Sequence, residues 1–122
     1  MTTRVIPTHV HGIVDHVAAA VLLEAPTVLS LDSGSASLIP RILGGSATGY
    51  NLITDYETSA AKVLPMPVHL GLDALSGVFL AASPWITGSG KKGLRHFLPH
   101  SIIGGVQILL ALMTKTEPSD KS

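Results

Sequence analysis

Two short runs in this 122-residue chain hold residue types from which chemistry is built. His11 and Asp15 stand four apart, and His69 and Asp73 repeat that spacing. Positions four apart on a helix share a face, so each run offers an imidazole beside a carboxylate. If the helices that carry them pack together, two His and two Asp meet near a bundle axis. Three readings of such a quartet stay open. It is a satisfied polar network, each His bonding the Asp of its own helix or capping a neighbour. Or it binds a divalent metal, since imidazole and carboxylate suit zinc, iron or manganese. Or it carries protons or assists a haem or quinone partner, with His16, His96 and His100 as further candidates.

Other polar positions read more simply. His9 and His11 are two apart, so their rings point to different faces, and His9 reads as a helix-start feature. Glu24 is the deepest charge of the first apolar segment. Arg41 pairs with it only if their helices are offset in depth, and snorkelling to an interface is the expected alternative. Asn51 and Gln107 are expected to hydrogen-bond between helices. No catalytic residue is assigned: nucleophile elbow, Walker loop, dinucleotide fingerprint and zinc-protease motif are all missing from the sequence. There is no cysteine, which excludes disulfides and thiolate metal sites. Eight Lys and Arg offset eight Asp and Glu without clustering, so no patch for nucleic acid exists.

The elements that must position the quartet follow from where charge is missing. Charged residues make up only 13% of the chain. Residues 17–31 contain Glu24 alone, and residues 74–90 and 97–114 contain none. About 20 mostly apolar residues suffice to cross a bilayer as a helix. Four segments are expected, at residues 8–31, 37–56, 67–85 and 94–114. Thr8 is the expected N-cap of the first, and Pro40 and Pro99 fall near the starts of the second and fourth. Residues 62–66 and 87–93 are expected as loops, and 117–122 as a polar tail. No signal-peptide pattern is present, so the first helix is expected to stay in the mature protein. Tyr50, Tyr56, Trp85 and Phe97 fall near the expected helix ends, where interfacial aromatics belong. Small residues recur inside the segments. Gly45 and Gly49 form a small-xxx-small step, and Gly44-Gly45 matches Gly104-Gly105.

The chain also repeats itself. Pro7, His11, Asp15 and Pro26 recur 58 positions later as Pro65, His69, Asp73 and Pro84. The second halves align less well, with Pro40 to Gly45 matching Pro99 to Gly105 after one insertion. The expected units are 7–57 and 65–114. Each holds an even number of crossings, so helices one and three run the same way.

On Ser83-Pro84-Trp85 at the end of the third segment, preceded by Leu75-Ser76-Gly77-Val78-Phe79-Leu80, the chain resembles the SPW repeat family of small membrane proteins. That family's repeat is two transmembrane helices with Ser-Pro-Trp in the first. The resemblance runs from about His9 to Thr114. The first repeat departs from it, with Ala25-Pro26-Thr27 in the place of the motif. The resemblance implies a membrane location and a helical fold, and no established activity. Without it, Pro84 reads as a helix stop and Trp85 as an interfacial anchor.

The reading is therefore an all-α protein, a single membrane domain over residues 1–122. Four transmembrane helices form a tandem repeat of two helix pairs, a 2+2 bundle. It is expected in the bilayer of a prokaryotic inner membrane, as a homo-oligomer or a subunit of a larger complex. The leading function is a non-enzymatic structural or accessory module. The rivals are a metal- or haem-binding redox or proton-transfer protein that uses the quartet, and an oligomeric transporter. Loop charges leave orientation open, with Arg4, Lys62, Lys115 and Lys121 on one side and Arg41, Lys91, Lys92 and Arg95 on the other.

Overall fold

The computed structural model describes residues 4–31, 34–57 and 59–116. It contains four helices and no strand among those residues: α1 (Thr8–Val28), α2 (Ser35–Leu52), α3 (Met66–Ile86) and α4 (Leu98–Met113). Short 3-10 turns at Ser89–Lys92 and Leu94–His96 join α3 to α4. The expected tail at 117–122 and the turn residues Asp32 and Ser33 lie outside the described residues.

The boundaries differ from the sequence reading for identifiable reasons. Thr8 is the first helical residue and Pro7 the N-cap. The Thr8 hydroxyl donates to Glu57 Oε1 at 2.6 Å instead of capping. α2 begins two residues earlier than expected, which moves Pro40 out of the first turn and into the helix body. It stops at Leu52 because the next carbonyl, that of Ile53, accepts the N–H groups of Val63 and Leu64 at 2.9 and 2.6 Å. α4 does not begin at Leu94, because the ring of Pro99 clashes with the carbonyl four residues back, that of Arg95. The chain breaks at Phe97 and starts again at Leu98. Residues 87–93, expected as an open loop, are partly wound into a 3-10 turn. Gly88 and Gly93 bracket that turn at φ 76° and 120°, backbone angles that favour glycine.

The same contacts occur twice, at nearly the spacing of the sequence repeat. Ile6 bridges Thr114, and Leu64 bridges Thr54. Val5 and Ile6 donate to the Met113 carbonyl as Val63 and Leu64 donate to that of Ile53. Arg4 donates to the carbonyls of Ala111 and Thr114 at 3.0 and 2.9 Å. Lys62, the matching cation, donates to the Tyr56 carbonyl at 2.6 Å. The Arg4, Val5 and Ile6 contacts satisfy carbonyls that the C-terminus of α4 leaves open.

The principal packings are α3 on α4, α1 on α2 and α2 on α3. Two of these are built on close backbone approach. A Cβ on Gly104 would lie 2.5 Å from the Gly77 carbonyl oxygen, and one on Gly44 would lie 3.0 Å from that of Ala19. The expected step at Gly45 and Gly49 is not at a contact, since a Cβ at either meets nothing within 4 Å. The glycine one position earlier faces the neighbour.

Burial is inverted relative to a water-soluble bundle. Among the described residues, the buried polar and charged residues outnumber the buried hydrophobic ones. Ile13 and Val17 of α1, Leu75 and Val78 of α3, and Ile102 and Leu109 of α4 are all more than half exposed. Exposed apolar side chains in this number mark a surface for a membrane or for a protein partner. Two stretches, Met66–Ile86 and Leu94–Met113, are long and apolar enough to cross a membrane.

Candidate metal centre

The quartet assembles where the first two turns of α1 and α3 meet. His11 and His69 are completely buried, and Asp15 and Asp73 nearly so. Each histidine binds the carboxylate of the other helix more closely than that of its own. His11 Nε2 lies 2.8 Å from Asp73 Oδ2 and 3.1 Å from Asp15 Oδ1. His69 Nε2 lies 2.7 Å from Asp15 Oδ2 and 3.1 Å from Asp73 Oδ2. One ligand atom from each of the four residues falls within 4.8 Å of all the others.

The surroundings decide what the rings present. The hydroxyl of Thr114 donates to the Leu110 carbonyl, and that of Thr54 to the Tyr50 carbonyl. With their protons committed, these oxygens accept from the rings: His11 Nδ1–H at 2.6 Å from Thr114, and His69 Nδ1–H at 2.7 Å from Thr54. The network thereby assigns a proton to both Nδ1 atoms and turns both Nε2 atoms to the centre. A metal-binding histidine ordinarily has its far N–H held in this way. The carboxylates are held as well. Tyr50 donates to Asp73 Oδ1 at 2.6 Å, and Tyr56 to Asp15 Oδ2 at 3.3 Å. The rings of Tyr50 and Tyr56 flank His69, with centroids 5.0 and 5.2 Å away.

Two imidazoles and two carboxylates form an N2O2 set of the kind zinc accepts in a tetrahedron. Bonds of 2.0–2.1 Å give a tetrahedral edge of about 3.4 Å; the histidine–carboxylate pairs at 2.7–3.1 Å would open toward it, and the wider pairs of the set, which spans 4.8 Å, would close toward it. Haem does not fit. The two rings meet edge to face with centroids 5.5 Å apart, and the carboxylates occupy the space between their Nε2 atoms.

The other sequence candidates lie elsewhere. His16 is half-buried on α1, 6.5 Å from the Tyr56 ring. Glu24 is exposed on α1. Arg41 is exposed and donates to the Thr27 hydroxyl at 2.9 Å, so it does not reach the core. His96 and His100 are buried at the opposite end of the bundle. Pro40 leaves the Ala36 carbonyl without its helical N–H partner, and His100 Nε2 donates to that oxygen at 2.7 Å.

The Ser83-Pro84-Trp85 motif has the same logic. Pro84 frees the Leu80 carbonyl, and the buried Ser83 hydroxyl donates to it at 2.8 Å. The helix therefore continues through the proline to Ile86 instead of stopping. Trp85 is 65% exposed and stands edge to face on Phe97. Ser83→Ala is expected to lower unfolding stability in detergent by about 1–3 kcal/mol, the cost of leaving a buried carbonyl unpaired. Reversible thermal or denaturant unfolding checks this.

Several of these contacts leave no local signal in the sequence. Tyr56, expected at an interface, is fully buried against the quartet. Thr54 and Thr114 are inconspicuous in the sequence because threonine carries no spacing signal of its own. Their correspondence shows in register, since each bridges a residue just ahead of a His-bearing helix, Thr54 with Leu64 before α3 and Thr114 with Ile6 before α1. Asn51 and Gln107 do not bond between helices: neither polar atom of the Asn51 amide has a partner, nor does Gln107 Oε1.

Residues 9–114 match the family described as the SPW repeat domain. Neither the curated proteins nor the solved structures contain a match.

Proposed function

Since the chain belongs to the SPW repeat family, we propose that it is a small non-catalytic membrane module built around a divalent-cation site. In this reading all four helices cross a prokaryotic inner membrane as two parallel pairs. The module works as a homo-oligomer or as an accessory subunit of a larger complex. The observation that carries the cation reading is the convergence of both Nε2 atoms on both carboxylates, with each Nδ1–H tied to a threonine. Exposed apolar side chains on every helix support the membrane reading.

Charge balance is compatible with a divalent ion. Two carboxylates with neutral imidazoles carry two negative charges in a buried site, which is costly unless compensated. One divalent cation cancels them, and so do two protons on the Nε2 atoms. Metal uptake is therefore an exchange for protons. A zinc titration of the detergent-solubilised protein is expected to give one ion per chain, with about two protons released per ion. A protein that takes up no zinc, or binds it without the quartet, overturns the proposal.

The threonines give a sharper test. Thr54→Val and Thr114→Val keep the side-chain shape and remove the acceptor for Nδ1–H. Each is expected to weaken zinc binding by about 10–100-fold, the usual effect of losing such a partner. Competition against a chelator of known affinity measures it.

A second reading has its own support. The four contacts of 2.7–3.1 Å are hydrogen-bond lengths as they stand. The quartet then staples α1 to α3 as a closed ion-pair network, and the module is purely structural.

A further inference from the structure

A cavity of about 180 Å³ lies between α1, α2 and α4, beside the quartet. Its walls are mostly apolar, with Val14, Ala18, Leu22, Ala47 and Ile103 among them. Val17 and Val21 of α1 and Ile102 and Val106 of α4 line it and are 43–59% exposed. Its mouth therefore faces sideways, toward the apolar surroundings of the bundle. One end is polar. Asn51 lines the cavity, is 1% exposed, and has no partner for its amide nitrogen or oxygen. Gln107 lines it too, with an unpaired Oε1.

A buried amide without partners costs stability, and packing does not require this one. With Thr54 matched to Thr114, the counterpart of Asn51 in the second repeat is Ala111, which is buried 3% exposed. One half of the chain thus manages with alanine where the other carries a carboxamide. The amide nitrogen needs an acceptor, while the amide oxygen and Gln107 Oε1 need donors. A cavity of about 150 Å³ with apolar walls accepts benzene, so this one takes a substituted six-membered ring.

We infer that this cavity binds a lipid-soluble phenol of the hydroquinone type, its ring among the apolar side chains and a hydroxyl on Asn51. The hydroxyl donates to Asn51 Oδ1 and accepts from Asn51 Nδ2–H, which uses both idle functions of that amide. Entry is lateral, from the hydrocarbon phase. The inference rests on the cavity and on Asn51; Asp15, Tyr50 and Asp73 also line the cavity, so it borders the quartet.

Trimethylhydroquinone and trimethylbenzene are the probes, titrated calorimetrically into the full-length protein in detergent, against micelle blanks. Titrations on protein as purified and after chelation keep this test apart from that of the metal. One hydroquinone per chain is expected, bound at least tenfold more tightly than the hydrocarbon. Asn51→Leu is expected to abolish that preference while leaving the unliganded melting temperature unchanged or raised. Val106→Trp, at the mouth, is expected to weaken both probes with the fold intact. Equal affinity for the two probes in the wild type overturns the inference. So does a drop in unliganded stability in Asn51→Leu, which would make the amide a structural group.

Discussion

Asp73→Asn is expected to lower the unfolding stability of the detergent-solubilised protein by about 3–5 kcal/mol, the range for breaking one partner out of a buried charged network. Asp73 is the hub of the quartet. Its Oδ2 lies 2.8 Å from His11 Nε2 and 3.1 Å from His69 Nε2, and its Oδ1 accepts the Tyr50 hydroxyl at 2.6 Å. An amide in that place loses the charge and turns an N–H toward groups that need an acceptor. Asp15→Asn is expected to cost less, because its tyrosine contact is long, 3.3 Å. Replacing the whole quartet by Phe and Leu is expected to recover much of the loss, since buried ion networks often exchange for apolar packing at little cost. That quadruple variant would fold and bind no zinc. Equilibrium unfolding of the three variants checks the order; an Asp73→Asn variant as stable as wild type contradicts it.

Gly104→Ala is expected to have the next largest effect. Its new Cβ would sit 2.5 Å from the Gly77 carbonyl oxygen, 2.6 Å from the Ala81 nitrogen and 2.9 Å from the Ala81 Cβ. The two nearest atoms are backbone and cannot rotate away, so α3 and α4 must part along their main contact. Overpacking of this kind costs about 1–3 kcal/mol and occasionally more. Gly105→Ala, one residue on, meets nothing within 4 Å. It is expected to leave stability unchanged or raise it by up to about 1 kcal/mol, the helix preference for alanine over glycine. The pair separates close approach from propensity in one unfolding experiment. Equal effects at the two positions would show that the α3–α4 contact does not depend on Gly104.

Much of this architecture is legible in the sequence, and the limits are physical. Helix content and the quartet show in local spacing, because His-x-x-x-Asp and long charge-free runs are short-range signals. The repeat at 58 positions adds the correspondence between the halves. The threonine partners do not show, because the contact of Thr114 with His11 spans almost the whole chain. Tyr56 looks like a helix-end aromatic until the bridge of Thr54 to Leu64 turns the chain back over the quartet. The glycine step misreads by one residue, since small-xxx-small spacing does not say which face meets a neighbour. Proline positions are visible, but not the groups that repair the carbonyls they free. Ser83 acts on its own helix, and His100 reaches across to α2.

The quartet's role rests on what its Nε2 atoms face. The most direct measurement is the visible spectrum of the detergent-solubilised protein titrated with Co²⁺, a spectroscopic stand-in for zinc. Four-coordinate binding predicts intense ligand-field bands that saturate at one ion per chain, without thiolate charge transfer because the chain has no cysteine. The Asp15→Asn, Asp73→Asn double variant is predicted to show none of them. A wild-type spectrum no different from Co²⁺ in buffer would contradict the account and leave the quartet as a structural ion-pair network.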